Sequence, residues 1–189
     1  MSVSSHSLGA TNLILVGFMG TGKTVTGKVL AERLGRAFVD MDGVIEAREG
    51  RSIPRIFSES GEPHFRELER ALVQELAAQQ NLVIAPGGGI VLNPDNIRDF
   101  SATGRVICLR ASPEWILKRV GHDTNRPLLQ TDDKLGRIRE LLAKRQALYD
   151  AIPLQIDTDG KTPAEVADEI FGELGVRSWE KAGRGNPPS

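Results

Sequence analysis

The run Gly17-Phe18-Met19-Gly20-Thr21-Gly22-Lys23-Thr24 carries every fixed position of the pattern G-x-x-x-x-G-K-[ST]. An apolar run at 13–16 precedes it, and a helix-forming stretch at 23–34 follows. That context turns a glycine-rich turn into a phosphate-binding loop. Glycines let several backbone N–H groups converge on phosphate oxygens, and the following helix adds the partial positive charge of its N-terminus. Gly20, Thr21, Gly22, Lys23, Thr24 and Val25 are therefore the expected nucleotide contacts. The Lys23 ammonium is expected at the β- and γ-phosphates of ATP, and the Thr24 hydroxyl on Mg²⁺.

The loop alone does not separate a GTPase from an ATPase or a kinase. Asp40-Met41-Asp42-Gly43 matches the D-x-x-G of GTPases, but so does Asp157-Thr158-Asp159-Gly160, and no N-K-x-D follows either. That argues against guanine recognition. Asp40 and Asp42 lie at the end of an apolar run, where two residues apart they can point to one side. One could serve the metal, and the other could accept the proton of an acceptor hydroxyl. The alternative is that Asp42 merely caps the helix beginning Gly43-Val44-Ile45-Glu46. Pro86-Gly87-Gly88-Gly89 follows the run at 82–85. Three glycines cost conformational entropy, which points either to backbone in close approach to a ligand or to a simple turn.

Arg66 and Arg145 lie on amphipathic stretches. Such arginines are ordinarily solvated or paired, although their forked donors suit a carboxylate or a phosphate. His64 reads as structural, and His6 lies in a small, polar leader. The polar segment 121–133 lacks apolar periodicity and contains Arg126-Pro127-Leu128-Leu129. It reads either as a surface loop or as a mobile cover that delivers Arg126 to the phosphates.

The elements that must position these residues alternate between short β-like runs and helices. The runs lie at 13–16, 37–40, 82–85, 106–109 and 154–157. Phe65, Leu68, Leu72, Val73 and Leu76 share one face of a helix spanning about 62–79, and Ser52 is placed to cap a short helix ending at Gly61. Asn93-Pro94, Ser112-Pro113 and Thr162-Pro163 each pair a capping side chain with proline at the first helical position. Such alternation implies a parallel sheet covered on both faces, with ligands beyond the carboxyl ends of its strands.

A chain of 189 residues with 40% hydrophobic content supports one core, and a net charge of −1 speaks against a nucleic-acid binder. Cys108, the sole cysteine, lies in an apolar run and reads as an inert core thiol. Neither a signal peptide nor a membrane span is legible, so a cytoplasmic setting is expected. Residues 1–11 and 176–189 are expected to be flexible, with a single domain between them at 12–175.

Taken in order, Gly17–Thr24, Phe38-Val39-Asp40-Met41-Asp42, Gly61-Glu62-Pro63-His64-Phe65-Arg66 with Glu69, Pro86-Gly87-Gly88-Gly89, Arg126-Pro127-Leu128-Leu129, and Arg145 with Leu148-Tyr149 resemble the shikimate kinases. These are small relatives of the nucleoside monophosphate kinases. The resemblance covers about residues 13–174. It implies a three-layer α/β/α sandwich with a five-stranded parallel sheet and a mobile lid. It also implies a monomeric enzyme acting on ATP and shikimate, without nucleic-acid or membrane partners, in the pathway to chorismate and the aromatic amino acids. By the resemblance, Asp42, Arg66, Gly88 and Arg145 contact shikimate, Asp40 supports Mg²⁺, and Arg126 is the lid arginine. Lys23, Asp42 and Arg126 are then the catalytic set. Thr24-Val25-Thr26-Gly27 stands where the family more often has Ser-Thr-Val-Gly; the metal-facing hydroxyl is kept.

Overall fold

The computed structural model describes residues 8–121, 129 and 131–176. Five strands form one parallel sheet: β1 (Asn12–Val16), β2 (Ala37–Asp40), β3 (Leu82–Ala85), β4 (Gly104–Arg110) and β5 (Leu154–Asp157). Their order is β2-β3-β1-β4-β5, with registers such as Leu13 opposite Val83 and Arg105. Between them run α1 (Lys23–Leu34), α2 (Met41–Glu49), α3 (Ile53–Ala77), α4 (Pro94–Thr103), α5 (Pro113–Val120), α6 (Lys134–Asp150) and α7 (Pro163–Glu173). Parallel strands need such crossovers, and helices on both faces explain why β1 and β3 read as unbroken apolar runs.

β1 shows how the layers form. Ile14 and Val16 face a core shared with α2, α3, α4 and α6, whereas Leu13 and Leu15 face a second core closed by α1 and α7. Alternate side chains of a strand point to opposite faces, so one strand seeds both cores. Asn12 locks the far end of the sheet. Its carboxamide is fully buried, donates to Gln79 O (2.8 Å) and accepts from Leu82 N (2.8 Å).

The three proline-led starts are as expected: Asn93, Ser112 and Thr162 each accept a backbone N–H of their own helix. One expectation needs correction. Ser52 precedes α3, but its side chain makes no capping bond; Glu46 Oε1 accepts the Ile53 N–H instead (2.8 Å). The two helices expected on either side of Gly61 are both present and meet at a sharp kink within α3. Gly61 sits at φ 83°, ψ 164°, and Pro63 follows it. A residue with a Cβ disfavours that φ, and proline forgoes an intrahelical donor, so the bend is fixed at this point.

Cys108 is buried, and burial pushes its thiol up to about 11, consistent with an inert packing group. Among the described residues no helix is long and apolar enough to cross a membrane. Residues 1–7, 122–128, 130 and 177–189, which include Arg126 and most of the expected lid, lie outside the described set.

Candidate active site

β1 ends at Val16, and the chain then turns through Gly17–Gly22 into α1. The loop is held by its own bonds. Thr21 donates to Phe18 O through both N (3.3 Å) and Oγ1 (2.8 Å), and Thr26 N donates to Gly22 O (2.9 Å). Lys23 Nζ lies over the loop, 2.9 Å from Gly17 O and 3.0 Å from Phe18 O. Its charge is thus held at the helix N-terminus, where the backbone already favours an anion.

Thr24 Oγ1 donates to Asp40 Oδ2 at 3.0 Å, which joins the end of β2 to the start of α1. Two hard oxygen donors side by side suit Mg²⁺, which binds through one or two protein oxygens plus water and phosphate. The residues present therefore fit the ion. Asp40 is also the N-cap of α2, accepting from Gly43 N at a long 3.5 Å. The capping role considered for Asp42 thus belongs to Asp40. Asp42 itself sits in the first turn of α2 rather than on the strand end. Lys23, Thr24, Asp40, Asp42, Gly87 and Gly88 all line one cavity of about 480 Å³.

The glycine triplet explains how four segments come this close. A Cβ on Gly87 would lie 2.8 Å from Asp42 Oδ1 and 3.4 Å from Glu69 Oε1. On Gly88 it would meet Met19 N at 3.0 Å, and on Gly89 the guanidinium of Arg66. The triplet does form a turn, and each of its glycines also allows a neighbour that a side chain would crowd.

Arg66 grips Glu62 through Nε (3.2 Å) and Nη2 (2.9 Å), and Glu69 through Nη1 (2.8 Å). It also lies 5.1 Å from the Phe65 ring. The Glu69 carboxylate is buried, and its Oε1 accepts no bond among the described residues. Burial raises the Glu69 pKa, Arg66 opposes the rise, and Asp42 and Glu62 add to it. For this carboxylate, loss of water outweighs its cation.

Arg145 is only 8% exposed, contrary to the surface setting ordinary for a helical arginine. Its Nη1 donates to Gly88 O at 3.3 Å, and its guanidinium lies 5.8 Å from the Phe18 ring of the phosphate loop. Arg66 and Arg145 do not line the 480 Å³ cavity; Arg145 bonds to Gly88, which does, and Arg66 lies beside Gly89, the next residue.

Two residues quoted with the motifs but given no role prove central: Glu69, the buried partner of Arg66, and Tyr149, whose Oη donates to Gly88 O at 2.8 Å. Arg119 was not singled out at all. It donates to Gly20 O (3.1 Å) and to Thr158 O (2.6 Å), and lines a second cavity bordering Gly20–Gly22 and Val25. A lone arginine on an amphipathic helix gives no signal of this. The second D-x-x-G match has a structural explanation, since the Asp159 carboxylate accepts from Ser112 N at 3.0 Å.

The arrangement sets a cationic phosphate loop across one cavity from a carboxylate that can take a proton, with two arginines behind. Comparison with known proteins agrees. A family model described as shikimate kinase matches residues 19–175. The shikimate kinase of Thermodesulfovibrio yellowstonii is 47% identical over 162 residues, covering 86% of this chain and 94% of the relative. That of Persephonella marina is 42% identical over 163 residues, covering 86% and 98%. The structure of Acinetobacter baumannii shikimate kinase in complex with shikimate superposes with a TM-score of 0.86 at 36% identity, covering 92% of this chain and 97% of the other. A gluconokinase from Sinorhizobium meliloti, 16% identical with a TM-score of 0.57, shares the fold alone. The chain belongs to the shikimate kinase family.

Proposed function

We propose that the protein transfers the γ-phosphoryl group of MgATP to the 3-hydroxyl of shikimate, giving ADP and shikimate 3-phosphate. The observation that carries this reading is that Lys23, Asp42 and Gly88 face one cavity while Arg66 and Arg145 close on Gly88-Gly89 from behind. The cavity offers Lys23 and Asp42 to a reacting hydroxyl, and the two arginines supply the cations for a carboxylate on the side of the glycines.

The acceptor oxygen bonds to the γ-phosphorus, the bond from that phosphorus to the bridging oxygen of ADP breaks, and the hydroxyl proton passes to Asp42. Lys23 stabilises the charge on the transferring group, and Arg66 and Arg145 fix the carboxylate so that the hydroxyl is in line. Thr24 and Asp40 would hold Mg²⁺, which would supply positive charge to the phosphate oxygens when bound. Positioning and preorganised charge carry phosphoryl transfers of this kind. Arg119 is placed to meet the base of the nucleotide beside Gly20–Gly22. Arg126, outside the described residues, is assigned the role of a cation delivered over the phosphates. A monomeric, cytoplasmic enzyme accompanies this reading.

ADP release measured with shikimate, quinate, gluconate and nucleoside monophosphates tests it. Shikimate should stimulate release far above background, and only with a divalent metal. Equal stimulation by gluconate or CMP would sink the assignment.

A further inference from the structure

Tyr149 has no part in the chemistry described above, yet it is buried and its hydroxyl is bonded to the glycine triplet rather than to water. We infer that Tyr149 is a positioning residue: by donating to Gly88 O it fixes the Gly88–Gly89 peptide and keeps the Arg145 guanidinium available to the acceptor's carboxylate. This rests on the shikimate kinase reading.

Three observations lead there. First, the Gly88 carbonyl receives two donors from one helix, Tyr149 Oη at 2.8 Å and Arg145 Nη1 at 3.3 Å. The two residues are four apart on α6 and so share a face. The phenol makes the shorter bond and is the main restraint; the arginine makes a long one and keeps donors to spare. Second, the peptide in question stands between two glycines, where side chains give it no help. A trans peptide is planar, so a fixed carbonyl also fixes the direction of the following N–H. Third, Gly88 lies against Met19 N of the phosphate loop, and Arg145 lies near the Phe18 ring. A shift of this peptide therefore reaches the Arg145 guanidinium, while the phosphate loop keeps its own internal bonds. Burial pushes the Tyr149 hydroxyl up to about 12, so it remains a donor at every working pH.

Without the hydroxyl, Arg145 is the remaining described donor to Gly88 O. The arginine is then drawn to the carbonyl at the expense of the substrate. The loss should fall on ground-state binding of the acceptor, with little effect on the phosphoryl step.

The test is Tyr149→Phe in the full chain, assayed with shikimate and MgATP, with thermal melting in parallel. KM for shikimate should rise about tenfold, with kcat within about twofold and KM for ATP unchanged, as expected on losing one buried hydrogen bond to the binding frame. A double-mutant cycle with Arg145→Ala should show strong coupling, because the two residues share one carbonyl and also interact with each other. A lower melting temperature with unaltered KM for shikimate would make Tyr149 a packing residue and overturn the inference. Additive effects in the cycle would equally overturn it. Wild-type protein inert toward shikimate would take down both this inference and the function on which it rests; active wild type with an indifferent Tyr149→Phe would take down this inference alone.

Discussion

The proposed phosphate side of the cleft comes from one continuous stretch, residues 17–24, and is mostly backbone. The proposed acceptor side is assembled from four segments. Asp42 comes from α2, Arg66 and Glu69 from α3, Gly88 from the turn after β3, and Arg145 and Tyr149 from α6. The first side asks only for a strand, glycines and a helix start. The second depends on tertiary packing to bring charges together, and it bears the cost of a buried carboxylate, Glu69, that its arginine does not fully offset. A general anion site can thus be local in the chain, whereas selectivity for one acceptor is distributed.

If that contrast is right, one residue should dominate on the phosphate side. Lys23→Ala is expected to lower kcat by ~10³-fold or more, with circular dichroism unchanged, since removing a preorganised charge in such sites costs this much. Near-normal turnover would end the phosphate-loop reading.

Asp42→Asn comes next. Because Asp40 holds the α2 cap, asparagine has no capping duty to preserve at position 42, and the loss of charge acts alone. Turnover should fall by more than ~100-fold, the lower range for general acid–base help. A small change would return Asp42 to a structural role.

On the acceptor side the effects should be smaller and shared. Arg145→Ala and Arg66→Ala should each weaken shikimate binding more than ATP binding, by roughly 1.5–3 kcal/mol for a charge-assisted bond. Titration with both ligands reads this directly. Arg66→Ala should also lower the melting temperature more than Arg145→Ala does, because it strips Glu69 of its cation. Equal melting temperatures would blur the distinction drawn between the two arginines.

The smallest effect is the pH dependence of stability. The folded pKa of Glu69 lies above its ordinary value of 4.5, with Arg66 opposing and Asp42 and Glu62 reinforcing the rise. The folded state therefore holds this proton more tightly than the unfolded chain. Its contribution is fully present below about 4.5 and is lost as pH rises through the raised folded value. Glu69→Gln lacks that component, so its melting temperature should gain on wild type as pH rises across this window. A constant gap would show that Glu69 does not titrate as its burial requires.

Legibility in the sequence follows the same division. The phosphate loop, the strand runs and the proline-led helix starts each rest on signals within a few residues, and they stand in the structure where expected. The capping duty of Asp40 was hidden because β2 ends at Asp40 and α2 begins at Met41, with no spacer to set the helix register. The burial of Arg145, the reach of Arg119 and the bond from Tyr149 to Gly88 depend on helices docking across 39 to 99 residues of chain. No local pattern carries that information.

The strand order has a consequence for synthesis as well as for the finished enzyme. β1 is fully buried along its length and pairs only with β3 and β4, which places Leu13 opposite Val83 and Arg105. As the chain leaves the ribosome N-terminus first, this apolar strand is exposed early and finds no partner until some seventy residues later. Parallel pairing closes long loops before it gains contacts and is slow for that reason. The strand that leads into the glycine-rich loop is thus also one in need of shelter while the chain is being made.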